Sequence, residues 1–324
     1  MTESKPGLFY GWVIVFLTFL SLSTYGLFYS YSGFIQSLEA EFHGTRAALS
    51  GVYTLYMAVY CLCAMPMGAL CDRVGPRKTL LLSAVCIGAG TALCSQAQTV
   101  WHLYLFFGLV AGIGHGAIWV VATSTISRWF IAKRGLAMGI AACGIGAGLL
   151  LAPPLSVQVI LHAGWRSAFL VLGAVFFAIN LAVALLIKGS PKEMGLTPHR
   201  ETGEKATATV VTLPESGYFS LKESFQARAF WFVYLIGLAC FSAYSMAMVH
   251  IVPYSGVLGV PALQAALGLS CLGVGTIAGR ISAGTLSDRF GRVFTLMACL
   301  GFEALGIFGL LAVSGMWTLY AAMF

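Results

Sequence analysis

Long apolar stretches separated by short polar ones recur along the whole chain. We predict nine complete membrane segments and the start of a tenth, at about 10–34, 47–69, 79–96, 101–126, 135–160, 166–187, 229–252, 262–286, 293–313 and from 316 onward. These runs are close to or above the roughly 20 apolar residues that a helix needs to cross a bilayer. They lack the period-two alternation of barrel strands. The pattern therefore predicts an all-α polytopic membrane protein.

The composition supports a membrane location, and the charge pattern predicts the orientation. Hydrophobic residues make up 59% of the 324 positions and charged residues only 9%, far from the balance of soluble proteins. With the N-terminus in the cytoplasm, only Arg46 and Arg166 of the 18 basic residues face outward, while Arg280 lies within the membrane. This asymmetry explains the net charge of +7 without nucleic acid. We expect an uncleaved first segment and insertion in the inner (plasma) membrane.

A polar stretch divides the chain into two membrane halves. Residues 188–228 combine mixed charges with several Pro and Gly residues, which is typical of a linker. We therefore predict an N-terminal six-helix half over 1–187, a cytoplasmic linker over 188–228 and an incomplete C-terminal half over 229–324. The nine cysteines form no CxxC motif, so we expect neither a disulfide framework nor a metal or cofactor site.

The two halves share a repeated loop. GALCDRVGPRK begins at Gly68 and GTLSDRFGR begins at Gly284, so the copies lie 216 residues apart. Both have the spacing G-x-L-x-D-R-x-G, and each ends a predicted helix on the cytoplasmic side. Two parallel repeats of six helices place both copies there.

These loops resemble the signature of the major facilitator superfamily of secondary transporters. FYGWVIVF, RWFIAKRGLAMGIAACGIGAG and GWRSAFLVLGA also resemble bacterial monocarboxylate transporters and oxalate/formate antiporters. The resemblance implies a major facilitator fold of two six-helix halves that rock around a central site. The family has twelve helices, whereas this sequence stops at WTLYAAMF within an apolar run. We therefore expect the last two to three helices to be missing from this chain.

The loops also suggest how the cytoplasmic side is gated. An acid at the end of one helix can cap the positive N-terminus of a helix in the opposite half, and basic neighbours can bind anionic lipid. The alternative is a solvated charge cluster that only sets topology. The resemblance implies gating, for which the candidates are Gly68, Asp72, Arg73, Gly75, Arg77, Lys78, Gly284, Asp288, Arg289, Gly291 and Arg292.

Arg280 is the most informative single residue. A charge inside a membrane helix costs at least roughly 2.5–3.5 kcal/mol and normally faces a cavity or a partner. Snorkelling is the alternative, but Asp288 lies eight residues further along, about 12 Å on a helix. A guanidinium matches the two oxygens of a carboxylate. The resemblance also places a substrate-binding arginine in helix eight.

Several other residues are candidates for the same site. Aromatic walls would suit the apolar end of a small acid, and a histidine could titrate in the useful range. The full set of candidate substrate-binding residues is Arg280, Thr276, His250, Tyr25, Phe28, Tyr29, Trp119 and His115. His115 is more typical of a packing residue. Thr276 stands where vertebrate monocarboxylate transporters have a proton-coupling aspartate, so His250, His115 and Glu303 are the remaining proton carriers.

Small residues spaced four apart predict close helix packing. The stripes are Gly108, Gly112 and Gly116 in segment four, Gly135 and Gly139 in segment five, and Gly275, Gly279 and Ala283 in segment eight.

These features together predict a proton-coupled symporter of small monocarboxylates such as lactate or pyruvate. The alternatives are an oxalate/formate type of dicarboxylate–monocarboxylate exchange and a membrane sensor on the same fold. An enzyme is disfavoured because no nucleophile or metal-ligand cluster has a recognised spacing. We expect the partners to be a small organic anion, a proton and membrane lipid, and the protein to be a monomer.

Overall fold

The structure is a computed structural model that describes residues 10–131, 133–195, 221–257 and 262–311. The side chains at 192, 221, 222, 224, 243–257, 262–270, 310 and 311 are outside the description. The described chain forms helices α1 Tyr10–Ser23, α2 Gly26–Phe42, α3 Arg46–Val74, α4 Pro76–Leu93, α5 Val100–Leu103, α6 Gly112–Trp129, α7 Arg134–Leu186, α8 Leu221–Gln226, α9 Arg228–Val257, α10 Ala262–Phe290 and α11 Arg292–Leu311. Short 3-10 helices span Cys94–Gln96 and Pro191–Met194, and a π-helix spans Tyr104–Ala111.

The helices follow the predicted segments, with three local differences. The first segment is broken between α1 and α2, and the fourth contains the π-helix between α5 and α6. The fifth and sixth segments form the long α7, which bends at Gly164, where φ is +79°. Six stretches of the described chain are long and apolar enough to cross a membrane. Most of the predicted linker and the tenth segment lie outside the described residues.

The N-terminal helices enclose a well-packed aromatic and aliphatic core. Its largest fully buried side chains include Trp129, Tyr31, Tyr56, Phe34 and Phe107. A buried polar contact also ties α1 to the second part of α7, because Ser21 Oγ donates a hydrogen bond to Asn180 Oδ1 at 2.7 Å. Such a bond satisfies two groups that would be costly to leave unpaired in an apolar interior.

The two halves meet where α7 crosses α10. A Cβ added at Gly139 would lie 2.7 Å from the carbonyl oxygen of Arg280, and one at Gly284 would lie 2.8 Å from that of Gly135. A Cβ at Gly273 would similarly lie 3.1 Å from the carbonyl oxygen of Gly146. Only glycines allow the two backbones to approach so closely.

One of the predicted small-residue stripes is wrong at its centre. An added Cβ at Gly279 would have no atom of the described chain within 4 Å, whereas Gly273 and Gly284 of α10 touch α7. These two lie eleven residues apart, or about three helical turns, so they share a face that Gly279 does not. The stripe of the fourth segment does pack closely, because added Cβ atoms at Gly112 and Gly116 would lie 3.1 Å from the carbonyl oxygens of Tyr56 and Tyr60.

Candidate substrate cavity

A cavity of about 840 Å³ lies between the two halves. Its walls come from the junction of α1 and α2 and from α3, α6, α7, α9, α10 and α11. The lining residues are Tyr25, Phe28, Tyr29, Tyr53, Thr54, Met57, Tyr60, Trp119, Ile145, Gly237, Cys240, Phe241, Thr276, Arg280 and Glu303. The structure thus brings together six of the candidates from the sequence, namely Arg280, Thr276, Tyr25, Phe28, Tyr29 and Trp119.

The break between α1 and α2 places Tyr25 at the cavity wall. Thr24 and Tyr25 form a turn in which the Thr24 hydroxyl donates to the carbonyl oxygen of Ser21 at 2.6 Å. Tyr25 is almost completely buried, and its hydroxyl donates to that of Tyr60 at 3.2 Å. This bond links the first segment to α3 directly at the cavity.

His115 lies behind this wall and does not line the cavity. Its side chain is fully buried, and its ring packs against those of Tyr25 and Tyr56 with centroids 5.5 and 5.6 Å apart. The Nε2 atom lies 3.2 Å from the carbonyl oxygen of Thr24, and Nδ1 lies 3.3 Å from that of Ala111. This geometry favours the packing interpretation, in which His115 supports the break between α1 and α2 from behind Tyr25.

Arg280 presents an incompletely paired guanidinium to the cavity. Its Nε atom is buried and has no hydrogen-bond partner within the described part of the chain. No carboxylate among the described residues forms an ion pair with it. The backbone of Arg280 packs closely against Gly139 of α7, and this contact fixes the position of α10. A buried donor without a partner is costly, so an anion in the cavity would relieve that cost.

Several wall residues were missed from the sequence. Tyr53, Met57 and Tyr60 lie on one face of α3 with the spacing i, i+4 and i+7, and Phe241 comes from α9. The repeat offset of 216 residues relates Tyr60 to Thr276 and Tyr25 to Phe241. Applying that offset to the candidates already chosen would have found Tyr60 and Phe241, although not Tyr53.

Glu303 and His250 are the remaining candidates from the sequence. Glu303 lines the cavity beside Cys240, although helix nine is usually peripheral in the fold that the sequence resembles. The side chain of His250 lies outside the description, so its predicted place in the cavity stays a prediction.

At the end of α10, Asp288 bridges the two halves. Its Oδ2 accepts a hydrogen bond from the backbone N–H of Leu136 at 3.0 Å. Leu136 lies in the first turn of α7, where the N–H groups have no partner within the helix, and the N-cap residue Lys133 makes no side-chain capping bond. Asp288 therefore supplies to α7 a cap from the opposite half, next to the positive end of the helix dipole.

The other loop has the same backbone but a different partner. Gly75 and Gly291 both have positive φ, at +87° and +86°, as the tight turns require. Asp72, however, accepts a hydrogen bond from Arg128 Nη2 at 3.1 Å within its own half. The remaining basic loop candidates are all exposed, namely Arg73, Arg77, Lys78, Arg289 and Arg292.

Comparison with known families agrees with this architecture. Residues 12–324 match the sequence profile described as Major Facilitator Superfamily. The chain belongs to the major facilitator superfamily. This superfamily consists of transporters rather than enzymes, and the chain is accordingly an integral multi-pass membrane protein.

Among its relatives in the superfamily, several are named monocarboxylate transporters. The chain is 31% identical to monocarboxylate transporter 11 of Mus musculus over 92% of its own length and 65% of that protein. It is 30% identical to monocarboxylate transporter 12 of Homo sapiens over 89% of its length and 59% of that protein. An uncharacterized transporter of Bacillus subtilis, YcxA, is 28% identical over 90% of the chain and 68% of its own length. The chain thus spans less than two thirds of these two mammalian relatives.

Solved structures show the same fold at lower identity. A double-Trp mutant of XylE matches 97% of the chain and 79% of its own length with a TM-score of 0.69 and 18% identity. A bacterial homolog of the human lysosomal transporter Spinster, in an inward-facing and unoccupied conformation, matches 99% of the chain and 73% of its own length with a TM-score of 0.64 and 18% identity. These likenesses show a major facilitator fold.

Proposed function

We propose that this protein is a secondary active transporter of small monocarboxylates, such as lactate or pyruvate, driven by proton symport. The single observation that carries the proposal is Arg280, whose guanidinium opens on the cavity between the halves without an acidic partner among the described residues. Two carboxylate oxygens match the planar fork of an arginine. Relatives named monocarboxylate transporters support the same substrate class.

The other parts of the proposal follow from the same geometry. Thr276 lies one turn before Arg280 and also lines the cavity, so its hydroxyl can bind the 2-hydroxyl or 2-oxo group of such an acid. The α7–α10 contact and the Asp288 cap form a closed cytoplasmic gate, which opens when the halves rock. We place the protein in the plasma (inner) membrane as a monomer, with its N-terminus in the cytoplasm and its basic loop residues on anionic lipid.

The direct test is uptake of labelled lactate into proteoliposomes with an imposed pH gradient. Arg280→Gln should lower uptake at least about tenfold, because a charge-assisted pair contributes roughly 1.5–3 kcal/mol. Arg280→Lys should recover only part of it, since lysine keeps the charge but lacks the fork. Arg46→Gln is the matched control, because Arg46 is 75% exposed at the outer side. Normal uptake by inserted Arg280→Gln protein would refute the assignment.

Glu303 is the best-placed proton carrier among the candidates. It is a carboxylate on the cavity wall, and neither Arg280 nor any other described cation forms an ion pair with it. A carboxylate can carry a proton, whereas the amide of a glutamine cannot. Glu303→Gln should therefore make lactate uptake independent of the pH gradient while lactate exchange across the membrane continues. Unchanged dependence of uptake on the pH gradient would exclude Glu303 as the proton carrier.

If uptake by the parent protein requires a carboxylate inside the proteoliposomes, exchange is favoured over symport.

A further inference from the structure

Aromatic rings dominate the cavity wall opposite Arg280. We infer that the preferred substrate is a monocarboxylate that carries an aromatic ring, an arylalkanoate, rather than lactate itself. This inference rests on the proposed function, because it uses the same carboxylate contact with Arg280. It adds a second recognition element, which is a pocket for the ring of the substrate.

The wall has far more apolar aromatic surface than lactate can cover. Six of the fifteen lining residues are aromatic side chains of the N-terminal half, namely Tyr25, Phe28, Tyr29, Tyr53, Tyr60 and Trp119. The apolar part of lactate is a single methyl group. A cavity of about 840 Å³ falls within the range of about 300–1,000 Å³ that is typical of drug-sized ligands. A ring in this cavity would cover surface that lactate leaves in contact with water.

The rings are also held in place before a substrate arrives. Tyr25 packs edge-on against Phe28 and Tyr60, with centroids 5.5 and 5.8 Å apart, and Phe28 packs on Tyr29 at 4.1 Å. A wall that is already ordered loses little conformational entropy when a ligand binds. Edge and face contacts between aromatic rings are also more favourable than their buried area alone predicts.

Trp119 is the wall residue best suited to meet the ligand ring. It is partly exposed at the cavity, and its indole ring has neither an aromatic contact nor a hydrogen bond within the described part of the chain, unlike Tyr25 or Phe28. Phe241, at the position related to Tyr25 by the repeat, brings a further ring from the C-terminal half. A substrate with its carboxylate on Arg280 can therefore place a ring between the halves.

The test compares lactate with 3-phenyllactate, which differs only by the added phenyl group. Both acids are titrated as competitors of labelled lactate uptake and by calorimetry on the purified protein. Burying a ring should make 3-phenyllactate bind at least about tenfold more tightly. The saturated analogue, 3-cyclohexyllactate, should bind about two- to tenfold more weakly than 3-phenyllactate, because it has the bulk without the aromatic contacts.

A pair of tryptophan variants locates the ring. Trp119→Leu should reduce the preference for 3-phenyllactate over lactate severalfold, expressed as the ratio of the two dissociation constants. Trp101→Leu is the matched control, since Trp101 is 77% exposed near the start of the same membrane segment. That control should keep the parent ratio.

The outcomes separate this inference from the proposed function. If lactate binds as tightly as 3-phenyllactate, or the cyclohexyl analogue as tightly as the phenyl one, the aromatic preference is refuted and carboxylate transport stands. If no monocarboxylate binds to the parent protein, the proposed function itself fails. If Trp119→Leu keeps the full preference for 3-phenyllactate over lactate, the ring of the substrate does not lie against Trp119, and the inference is refuted for that residue.

Discussion

The two copies of the repeated loop have nearly the same backbone and different partners. Gly75 and Gly291 turn the chain with φ values that differ by one degree. Asp288 nevertheless bonds a backbone N–H of the opposite half, whereas Asp72 bonds an arginine of its own half. The difference shows that the repeated sequence determines the turn, whereas the neighbouring helix determines which group the aspartate binds. One copy can therefore hold the halves together while the other stabilises only its own half.

The largest difference between the copies should appear at their first glycines, Gly284 and Gly68. In Gly284→Ala the new Cβ would lie 2.8 Å from a backbone oxygen of Gly135, which cannot move without separating α7 from α10. We expect a destabilisation of about 1–3 kcal/mol. In Gly68→Ala the nearest atom is Cγ1 of Val120 at 3.1 Å, and alanine gains up to about 1 kcal/mol of helix propensity.

The measurement for this pair is the apparent melting temperature in detergent, with lactate uptake as a second readout. Gly284→Ala should melt lower and transport less, whereas Gly68→Ala should melt at or above the parent temperature. Equal losses in both variants would mean that the two loops are packed alike.

The aspartates should differ by a smaller amount. Asp288→Ala removes the cap of α7 and should cost about 1 kcal/mol. Asp72→Ala breaks an ion pair whose aspartate is 73% exposed, and such pairs contribute about 0–1 kcal/mol.

Cys143 offers a local probe of the aspartate comparison. It is buried, and its Sγ contacts the carbonyl oxygen of Ile277 across the α7–α10 interface at 3.5 Å. Maleimide should label Cys143 faster in Asp288→Ala than in Asp72→Ala, while Cys94, buried in the N-terminal core, serves as the control. Faster labelling of Cys143 in Asp72→Ala would reverse the assignment of the two loops.

The turn glycines should show no difference. Gly75→Ala and Gly291→Ala both force a side chain into a positive-φ conformation, at a cost of about 1–2 kcal/mol. Since neither site has an atom within 4 Å of an added Cβ, the two melting temperatures should fall equally. A clear inequality would show that the two turns are not equivalent.

The sequence predicted the charged residue of the cavity better than its walls. Arg280 was predictable because a charge inside a membrane helix is costly and normally has a function. Tyr25, Phe28 and Tyr29 were predictable because they share one face of the first predicted helix. Tyr53 could not be chosen in the same way, because aromatic residues make up 13% of the chain and the face of α3 that meets the cavity depends on its neighbours.

The helix contacts show the same limit. Glycine spacing predicted that α10 packs closely on another helix, but the face of α10 that meets α7 is the one that carries Gly273 and Gly284. The break at Thr24 also depends on tertiary structure, since the freed backbone is satisfied partly by His115 from α6. The local sequence determines neither which face of α10 meets α7 nor the hydrogen bond from the distant residue His115.

The cap on α7 has a consequence for reading related sequences. Asp288 bonds the main chain at Leu136 rather than its side chain, and every residue type except proline provides that N–H group. Position 136 can therefore vary freely among homologues while position 288 stays acidic. We expect no covariation between these two positions, so methods that infer contacts from correlated substitutions should overlook the bond that joins the halves.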